Sequence, residues 1–384
     1  MKHKAVIIDM YSHGSYHEVI NQAYLMMISD IYEEVTYIAD KSSCENLKSL
    51  LDKCGVRKNN IIFKEKHVKK YKIKNRGIAY LVKLLTTSYL NYKYYNKAPK
   101  DSDVFYYNNL FFAILLISIF SKKDKNIFDL CHNEMELIDK SSVSSVASSI
   151  LSKYLRFVFC KVKLNKIFHF ILLSPDMVDY FRTFISKHNY ERIFWIDHSY
   201  IRPENKIDVK YQITDNRIKI GIPGAITSSR GLSTLKYLLA NLKKQNICIY
   251  ALSTCSEMIE ADNFVALNKG RGLLPFEQYN AYVQSMDVML LLYDIDSYKL
   301  TASGAVLEAI WNEKPIIALK NAYFSYLFKK FGQMGFLCNN IDDLCLALSK
   351  LDNASKYISK IQFAKQALMP NYVKQQLLSI ITHV

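Results

Sequence analysis

The chain has 384 residues, of which half are hydrophobic and 22% are charged, and its formal net charge is +16. This balance excludes a wholly disordered chain, and the length predicts two domains, because a domain typically holds about 100–200 residues. The longest apolar run, residues 110–120, is shorter than the roughly 20 residues that a membrane-spanning helix needs. The eight cysteines form no CxxC pair, and the N-terminus lacks the pattern of a secretion signal, so we expect reduced thiols.

The first half of the chain alternates between strand-like and helix-like segments. Apolar runs predict strands at residues 4–8, 35–38, 103–107 and 126–130, and amphipathic patterns predict helices at residues 18–31 and 44–53. This alternation favours a parallel sheet with crossover helices. We therefore expect a first α/β domain over residues 1–200.

An irregular, charged stretch at residues 192–212 is expected to be an interdomain linker. A second alternating series follows it, with strands at residues 217–222, 247–252, 288–293 and 315–319 and helices at residues 232–242, 276–284 and 304–311. We expect a second α/β domain over residues 201–384, whose last helix is able to return to the first domain. Because ligands bind at the carboxyl ends of parallel strands, the cleft between two such domains is the expected site.

The most informative segment, residues 298–318, combines a loop, a helix start and an apolar strand. Thr301 or Ser303 is placed to cap the helix, and Gly304 lets a ligand approach the backbone closely. Free N–H groups and the helix dipole at such a start favour a phosphate or diphosphate. Glu308, about one turn further on, could accept two hydrogen bonds from a ribose diol. A capped helix with an exposed Glu is the alternative interpretation.

This segment resembles the nucleotide-sugar motif of glycosyltransferases with the two-domain GT-B fold, especially retaining family 4. Five residues match that motif in type and order: Tyr298, Ser303, Gly304, Glu308 and Pro315. The resemblance implies two Rossmann-like parallel-sheet domains facing across a cleft, with Ser303 and Gly304 at the donor diphosphate and Glu308 at the ribose. The fullest family motif has another Glu eight residues earlier, where this chain has Leu300, so the donor sugar is left unassigned.

Two glycine-bearing loops extend the resemblance. In residues 220–231, Gly224 ends a predicted strand and Arg230 precedes a predicted helix. A basic residue here in GT-B enzymes binds the donor diphosphate, and the guanidinium fork suits two phosphate oxygens. A surface Arg in a turn is the alternative. In the loop at residues 268–275, the resemblance places Gly272 against the nucleotide base.

The resemblance also assigns residues of the first half. His132 is expected at the end of a strand, where family relatives place a His beside the donor sugar, with Glu134 as a weaker neighbour. The loop after the first strand carries His13, Gly14 and His17, and it is expected on the acceptor side. A structural His and a polar turn are the alternatives.

Two Asp-x-Asp triplets, at residues 101–103 and 294–296, resemble metal-binding sequences. About one such triplet is expected by chance from the 21 Asp of this chain. We therefore expect no essential metal and no cofactor besides the nucleotide-sugar co-substrate.

Residues 51–100 carry 14 basic and 2 acidic side chains, and so most of the net charge. No nucleic-acid motif accompanies them, so nucleic acid is not the expected partner. Several Tyr follow the charges, and Lys and Tyr together favour an anionic membrane surface. A solvated basic face is the alternative.

These features predict a metal-independent, retaining glycosyltransferase that moves a sugar from a nucleotide-diphosphate sugar to a saccharide, lipid-linked and part of a surface polysaccharide. The expected location is the cytoplasm, peripheral to the inner face of the cytoplasmic membrane. Two alternatives stay open: a nucleotide-sugar epimerase of the same fold, and a non-catalytic basic protein that binds membrane or nucleic acid.

Overall fold

The computed structural model describes the chain except for residues 1–2, 15–16, 57, 69–71, 108–109, 140, 142, 144, 205–208, 229, 243–245, 269–273, 294–295 and 352–354. The chain divides into two compact units. Unit 1 comprises Met1–Pro203, Leu300–Ala302 and Leu368–Val384, and unit 2 comprises Glu204–Lys299 and Ser303–Ala367.

Unit 1 contains a seven-stranded parallel sheet. Its strands are β1 (Lys4–Asp9), β2 (Glu34–Asp40), β3 (Ile61–Lys66), β4 (Ser102–Tyr107), β5 (Ile127–Leu130), β6 (Phe168–Leu172) and β7 (Ile193–Trp195). They pair in the order β3-β2-β1-β4-β5-β6-β7. The intervening helices are α1 (Glu18–Ile31), α2 (Lys41–Lys53), α3 (Arg76–Lys97), α4 (Ala113–Phe120), α5 (Val146–Lys161) and α6 (Pro175–Arg182).

Unit 2 contains a six-stranded parallel sheet in the order β10-β9-β8-β11-β12-β13. Its strands are β8 (Ile218–Ile222), β9 (Ile247–Ala251), β10 (Phe264–Ala266), β11 (Val288–Leu291), β12 (Ile316–Leu319) and β13 (Gly335–Cys338). Its helices are α7 (Leu232–Asn241), α8 (Phe276–Ser285), α9 (Gly304–Trp311), α10 (Ala322–Phe331), α11 (Ile341–Ser349) and α12 (Ile358–Ala367). The last helix, α13 (Pro370–His383), belongs to unit 1 and packs against α1.

A row of aromatic rings crosses the unit 1 sheet and shows how its core is built. Phe105 of β4 stacks on Phe128 of β5, and Phe128 stacks on His169 of β6, each with ring centroids 5.0 Å apart. Phe194 of β7 continues the row, 5.8 Å from His169. Rings on neighbouring strands meet in this way because parallel pairing keeps their side chains on one face.

The predicted α/β class with two parallel sheets is confirmed, whereas three strands of unit 1 differ from the sequence prediction. The expected linker at residues 192–212 begins with the edge strand β7, and no strand was predicted at β3 or β6. β7 has only three residues, and β3 is an edge strand that ends in Lys-Glu-Lys. Neither therefore has the apolar run that marks a buried parallel strand. β6 lies in a longer apolar stretch that also contains the end of α5. The apolar pattern therefore gives no sign of where the helix ends and the strand begins.

The strand order of each sheet reverses direction once. The first three strands of each unit are added toward one edge, and the later strands are added toward the other edge, starting beside the first strand. In unit 1 this point lies between β1 and β4, and in unit 2 it lies between β8 and β11. The loops after these strands diverge there and leave a crevice at the carboxyl ends, which is where open α/β sheets bind ligands. Among the described residues, no helix has both the length and the apolar content that a membrane span requires.

Gly231 sets the approach of α7 to this point in unit 2. Its φ is +75°, and a Cβ added to it would overlap the Cβ and the carbonyl oxygen of Leu292, just after β11. Only glycine tolerates both this backbone conformation and this contact.

We therefore expect Gly231→Ala to lower the free energy of unfolding by about 2–4 kcal/mol, because strain and overlap add. Gly55→Ala is the matched control, since Gly55 has φ +68° but open space around its Cβ position, and it should cost only about 1 kcal/mol. Urea titration measures both. Equal losses in the two variants would contradict the packing role of Gly231.

Candidate active site

The start of α9 in unit 2 is an uncapped helix terminus. Ser303 holds the N-cap position, but its side chain makes no cap hydrogen bond. Its Oγ is buried without a hydrogen-bond partner, and the residue is 1% exposed. A Cβ added to Gly304 would meet no atom within 4 Å. The first-turn N–H groups, a hydroxyl and open space therefore coincide here, as anion binding requires.

The predicted capping role of Thr301 and Ser303 is thus wrong. The Thr301 hydroxyl, in unit 1, donates instead to the Glu136 carboxylate at 2.8 Å. The Ser303 Oγ lies where it bonds no backbone N–H group. The hydrogen-bonding capacity of this buried hydroxyl is therefore unused within the described residues.

Glu308, one turn into α9, is a buried carboxylate and not the exposed residue of the alternative interpretation. It is 7% exposed, and its Oε2 accepts a hydrogen bond from the Tyr279 hydroxyl at 2.6 Å. Burial of a carboxylate is costly unless donors compensate it. Tyr279, on α8, therefore positions Glu308, a role that its sequence context did not reveal.

Gly224 and Tyr298 both lie next to a third residue, Tyr293. Gly224 follows β8 with φ +83°, and the Tyr293 hydroxyl lies 3.5 Å from the position of its absent Cβ. The Tyr293 ring is 4.6 Å from the Tyr298 ring, centroid to centroid. Tyr298 itself has φ 60°, a strained conformation that persists mainly where surrounding structure enforces it.

Arg230 lies in the loop between β8 and α7. Its backbone N–H donates to the Thr227 carbonyl at 2.8 Å, and the next residue, Gly231, packs against Leu292. The side chain of Arg230 is exposed, so the guanidinium is accessible to a ligand. Gly272, the predicted base contact, lies outside the described residues.

In unit 1, His132 is 5% exposed and lies two residues beyond Leu130, where β5 ends. Its ring is 5.2 Å from the His17 ring and 5.2 Å from the His198 ring, centroid to centroid. Tyr24 of α1 lies against both His132 and His198. The structure therefore joins two predicted residues, His132 and His17, and adds His198 from the stretch that was expected to be a linker.

Burial keeps this histidine cluster (His17, His132 and His198) neutral. It lowers the pKa of His17 and of His198 to about 4. Burial likewise lowers the pKa of His132 well below its ordinary value, and the neighbouring imidazoles lower it further. Neutral imidazoles each offer one donor and one acceptor, which suits contact with sugar hydroxyls.

Next to the histidines, Asp129, Cys131 and Glu134 form a buried acidic cluster. Their oxygen and sulfur atoms lie within 4.8 Å of one another. Burial raises the pKa of Asp129 well above its usual range and that of Glu134 to about 7, and the two carboxyls oppose each other's ionisation. Glu134 also accepts backbone N–H bonds from His132 and Asn133, each at 3.2 Å, so it positions the His132 backbone.

The predicted acceptor loop after β1 is divided between two places. His17 joins the histidine cluster, where it begins α1 with φ 55°. His13 is exposed and lines a separate cavity of about 280 Å³ together with Tyr11, Tyr80, Lys83 and Thr87. Gly14 lies between them with φ +58°, and its N–H donates to the Ser42 Oγ at 2.9 Å.

The Asp-x-Asp triplet at residues 101–103 does not form a ligand pair. Asp103 lies within β4 and accepts a hydrogen bond from the Tyr32 hydroxyl at 2.9 Å. Asp101 is near the surface beside Lys4. Asp294, in the second triplet, lies outside the described residues.

Solved structures similar to this one cover the whole chain. Anabaena HepE in complex with UDP and glucose matches over 99% of this chain and 100% of its own, with TM-score 0.60 and 11% identity. The trehalose-6-phosphate synthase OtsA matches over 99% of both chains, with TM-score 0.64 and 11% identity. The chain has the GT-B fold.

A putative UDP-N-acetylglucosamine 2-epimerase from Listeria monocytogenes also matches, at TM-score 0.55 and 10% identity over 100% of this chain and 96% of its own. No protein-family model and no curated protein sequence matches the chain. At these identities the likeness establishes the fold, and the chemistry has to be argued from the residues themselves.

The neutral histidine cluster makes stability depend on pH. A His whose pKa is lower in the folded state than in the unfolded state destabilises the fold as pH decreases below about 6.5, because the unfolded chain binds the proton more readily. We expect His198→Phe to remove one such contribution. Relative to wild type, the variant should gain about 2 kcal/mol in unfolding free energy between pH 7 and pH 5.

Denaturant titrations at the two pH values measure this difference. His383→Phe is the matched control, because His383 lies exposed at the end of α13, and it should change the unfolding free energy equally at both. A His198 variant that parallels wild type at both pH values would show that the imidazole is not held neutral by the fold.

Proposed function

We propose that the protein is a glycosyltransferase that moves a sugar from a nucleotide-diphosphate sugar to a saccharide acceptor. The observation that carries this proposal is the group at the start of α9: uncapped N–H groups, the partnerless Ser303 Oγ and the buried Glu308. A diphosphate matches the first two, and a ribose diol matches the carboxylate. The fold supports the proposal, because similar structures include one solved with UDP and glucose.

The proposed reaction depends on stabilising the departing diphosphate. Transfer of a glycosyl group passes through an oxocarbenium-like transition state, in which negative charge develops on the leaving group. The positive end of the α9 dipole, the Ser303 hydroxyl and the exposed Arg230 guanidinium supply fixed donors for that charge. Because these donors are in place before reaction, they cost little reorganisation.

Unit 1 contributes the groups proposed for the sugars. His132 is held by the Glu134 carboxylate and by the flanking His17 and His198 rings, so its orientation is restricted. We assign it a contact with the donor sugar, as the resemblance to family 4 implies. His13 and Gly14, on the other part of the loop, are assigned to the acceptor. Retention of anomeric configuration is proposed on the resemblance alone.

The acceptor is proposed to be lipid-linked and part of a surface polysaccharide, with the enzyme in the cytoplasm at the inner face of the membrane. The local excess of Lys and Arg in residues 51–100 supports this location, because anionic lipids attract such charge. No nucleic acid is proposed as a partner.

An epimerase of the same fold is the second candidate, and the similar epimerase structure favours keeping it. An epimerase needs no acceptor, whereas a transferase releases nucleotide in proportion to acceptor glycosylation. Incubation with donor alone, followed by analysis of the sugar, separates the two. An epimerised sugar nucleotide formed without acceptor would favour the epimerase.

We expect Glu308→Gln to weaken nucleotide binding by about tenfold, because the amide replaces one charged hydrogen bond to the ribose with a neutral one. Arg230→Gln should weaken binding similarly through the diphosphate. A thermal-shift series with UDP, GDP, ADP and CMP first finds the nucleotide that stabilises the wild type. Titration of that nucleotide then gives the dissociation constants.

Glu260→Gln is the matched control for Glu308, since Glu260 is an exposed acid of unit 2. It should bind the nucleotide as wild type does. Unchanged binding in both Glu308→Gln and Arg230→Gln would remove the basis for a donor site at α9.

We further expect transfer to proceed in the presence of EDTA, because Arg230 and the α9 terminus supply the positive charge that a divalent ion would otherwise provide. Product formation is measured with and without chelator and after addition of Mg²⁺ or Mn²⁺. Loss of activity with EDTA and recovery with metal would contradict metal independence. It would direct attention to the acidic cluster of Asp129, Cys131 and Glu134.

A further inference from the structure

Helix α3 has apolar side chains on its exposed side as well as on its buried side. Its buried residues are Leu84 and Tyr95 together with the polar Thr87, Ser88 and Asn91. The large side chains that it exposes, by 53–57%, are apolar or aromatic: Ile78, Leu85 and Tyr89. A helix on the surface of a globular protein normally has one apolar stripe, which faces the core, so a second apolar stripe in solvent is unusual.

These exposed side chains form one stripe. Ile78, Leu85 and Tyr89 are separated by seven and four residues, so they lie above one another along the same side of the helix. Packing within the unit accounts for the opposite side of α3 but leaves this stripe uncovered.

The two helices that pack against α3 continue the uncovered surface. Helix α4 ends in Ile119 and Phe120, which are 65% and 67% exposed. On α5, Val146, Ile150 and Phe157 repeat the spacing of four and seven residues and are 43–79% exposed. The α3–α5 face is defined here by eight side chains: Ile78, Leu85, Tyr89, Ile119, Phe120, Val146, Ile150 and Phe157.

Aromatic and hydrogen-bond contacts join the segment before α4 to α5. The Phe112 ring, just before α4, lies 4.6 Å from the Tyr154 ring of α5, centroid to centroid. The Tyr154 hydroxyl donates to the Phe111 carbonyl at 2.7 Å. The face carries eight of the seventeen large apolar side chains that are exposed in the described chain. Single exposed apolar residues are ordinary, but a cluster of this size marks an interaction surface.

The charge of the three helices is of one sign. They contain no Asp or Glu, and they carry seven basic residues: Arg76, Lys83, Lys93, Lys97, Lys153, Arg156 and Lys161. Lys153 and Lys161 lie on the same side of α5 as Phe157, since they are four residues from it in either direction. Both are exposed. Apolar side chains flanked by Lys are the composition of helices that lie in a membrane interface.

We propose that the α3–α5 face docks on the surface of an anionic lipid bilayer. This deepens the proposed function by naming the surface that would bring the enzyme to a lipid-linked acceptor. It also changes which residues are expected to contact the membrane, since the sequence pattern assigned this contact to residues 51–100. The α3–α5 face combines α3, from that stretch, with α4 and α5 from outside it. The apolar side chains would enter the headgroup region, and the basic ones would contact anionic headgroups.

The charge pattern favours a bilayer over other occupants. Two copies of this chain that met through the same face would bring basic residues together without any acidic residue of the helices to compensate. A nucleic acid would match the charge, but it offers no apolar surface for Ile119, Phe120 or Val146. A bilayer that contains phosphatidylglycerol supplies both the negative charge and the apolar interior.

The test is sedimentation of the full chain with vesicles of phosphatidylcholine alone or mixed equally with phosphatidylglycerol, at low salt. We expect binding to the mixed vesicles. The double variant Leu85→Ser/Phe157→Ser should reduce partitioning at least about tenfold, since each side chain loses its burial. Lys153→Glu/Lys161→Glu should reduce it about fivefold or more for each positive charge removed.

Matched controls come from unit 2. Met258→Ser/Phe363→Ser removes two side chains that are 83% and 58% exposed, and Lys350→Glu reverses an exposed charge at the end of α11. Neither should change partitioning. Circular dichroism and the thermal shift with nucleotide, measured on each variant, report whether the fold and the donor site are intact.

The proposal is supported if the wild type and the control variants bind the mixed vesicles and the α3–α5 variants do not. Equal binding by all variants, or no binding by the wild type, overturns it. A wild-type dimer in analytical ultracentrifugation that Leu85→Ser/Phe157→Ser dissociates would also overturn it in favour of a second copy. Because vesicle binding requires no donor, a protein that binds vesicles but no nucleotide would retain this inference and lose the proposed function.

Discussion

Parallel pairing of every strand within each sheet is the constraint on which the candidate site depends. When all strands of a sheet run in one direction, the loops after them collect at one edge, and chemistry accumulates there. In unit 2 that edge holds Gly224 after β8, Tyr293 after β11 and Ser303 at the start of α9. In unit 1 it holds the loop after β1 and His132 after β5. Residues far apart in the sequence therefore lie together because of strand direction and order.

The two units differ in how their buried polar groups are stabilised. In unit 2 the buried carboxylate of Glu308 accepts a hydrogen bond from the Tyr279 hydroxyl, and Arg230 is exposed to solvent. In unit 1, burial lowers the pKa of His17, His132 and His198, so these histidines stay neutral, and it raises the pKa of Asp129 and Glu134, so these carboxyls ionise less readily. Charge is thus available where a diphosphate is proposed to bind, and neutral hydrogen-bonding groups are available where sugars are proposed to bind.

The exposed apolar stripe of α3 is not explained by packing within unit 1. Helices on a parallel sheet bury the side that faces the strands, and in α3 Leu84 and Tyr95 supply the apolar part of that side. Ile78, Leu85 and Tyr89 lie on the other side and are more than half exposed, so they add little to the core. The absence of acidic residues from α3, α4 and α5 points in the same direction.

The sequence by itself determined the fold class and the order of the donor-type residues. The alternation of apolar and amphipathic segments and the local Ser-Gly-x-x-x-Glu spacing both act within a few residues, so they are readable without coordinates. Short or charged edge strands such as β3 and β7 were not readable, because pairing to a neighbour, and not their own composition, makes them strands.

Only the tertiary structure decided which residues meet. Tyr279 and Glu308 lie on different helices, and His17, His132 and His198 come from three distant segments, so no local pattern links them. The sequence predicted a capping role for Ser303, and the structure showed a hydroxyl without a partner. The burial that lowers the pKa values of the histidines, and the solvent exposure of Leu85, are likewise properties of the packed chain. Local spacing specified the types of group, and three-dimensional packing specified their partners, their charge and their access to solvent.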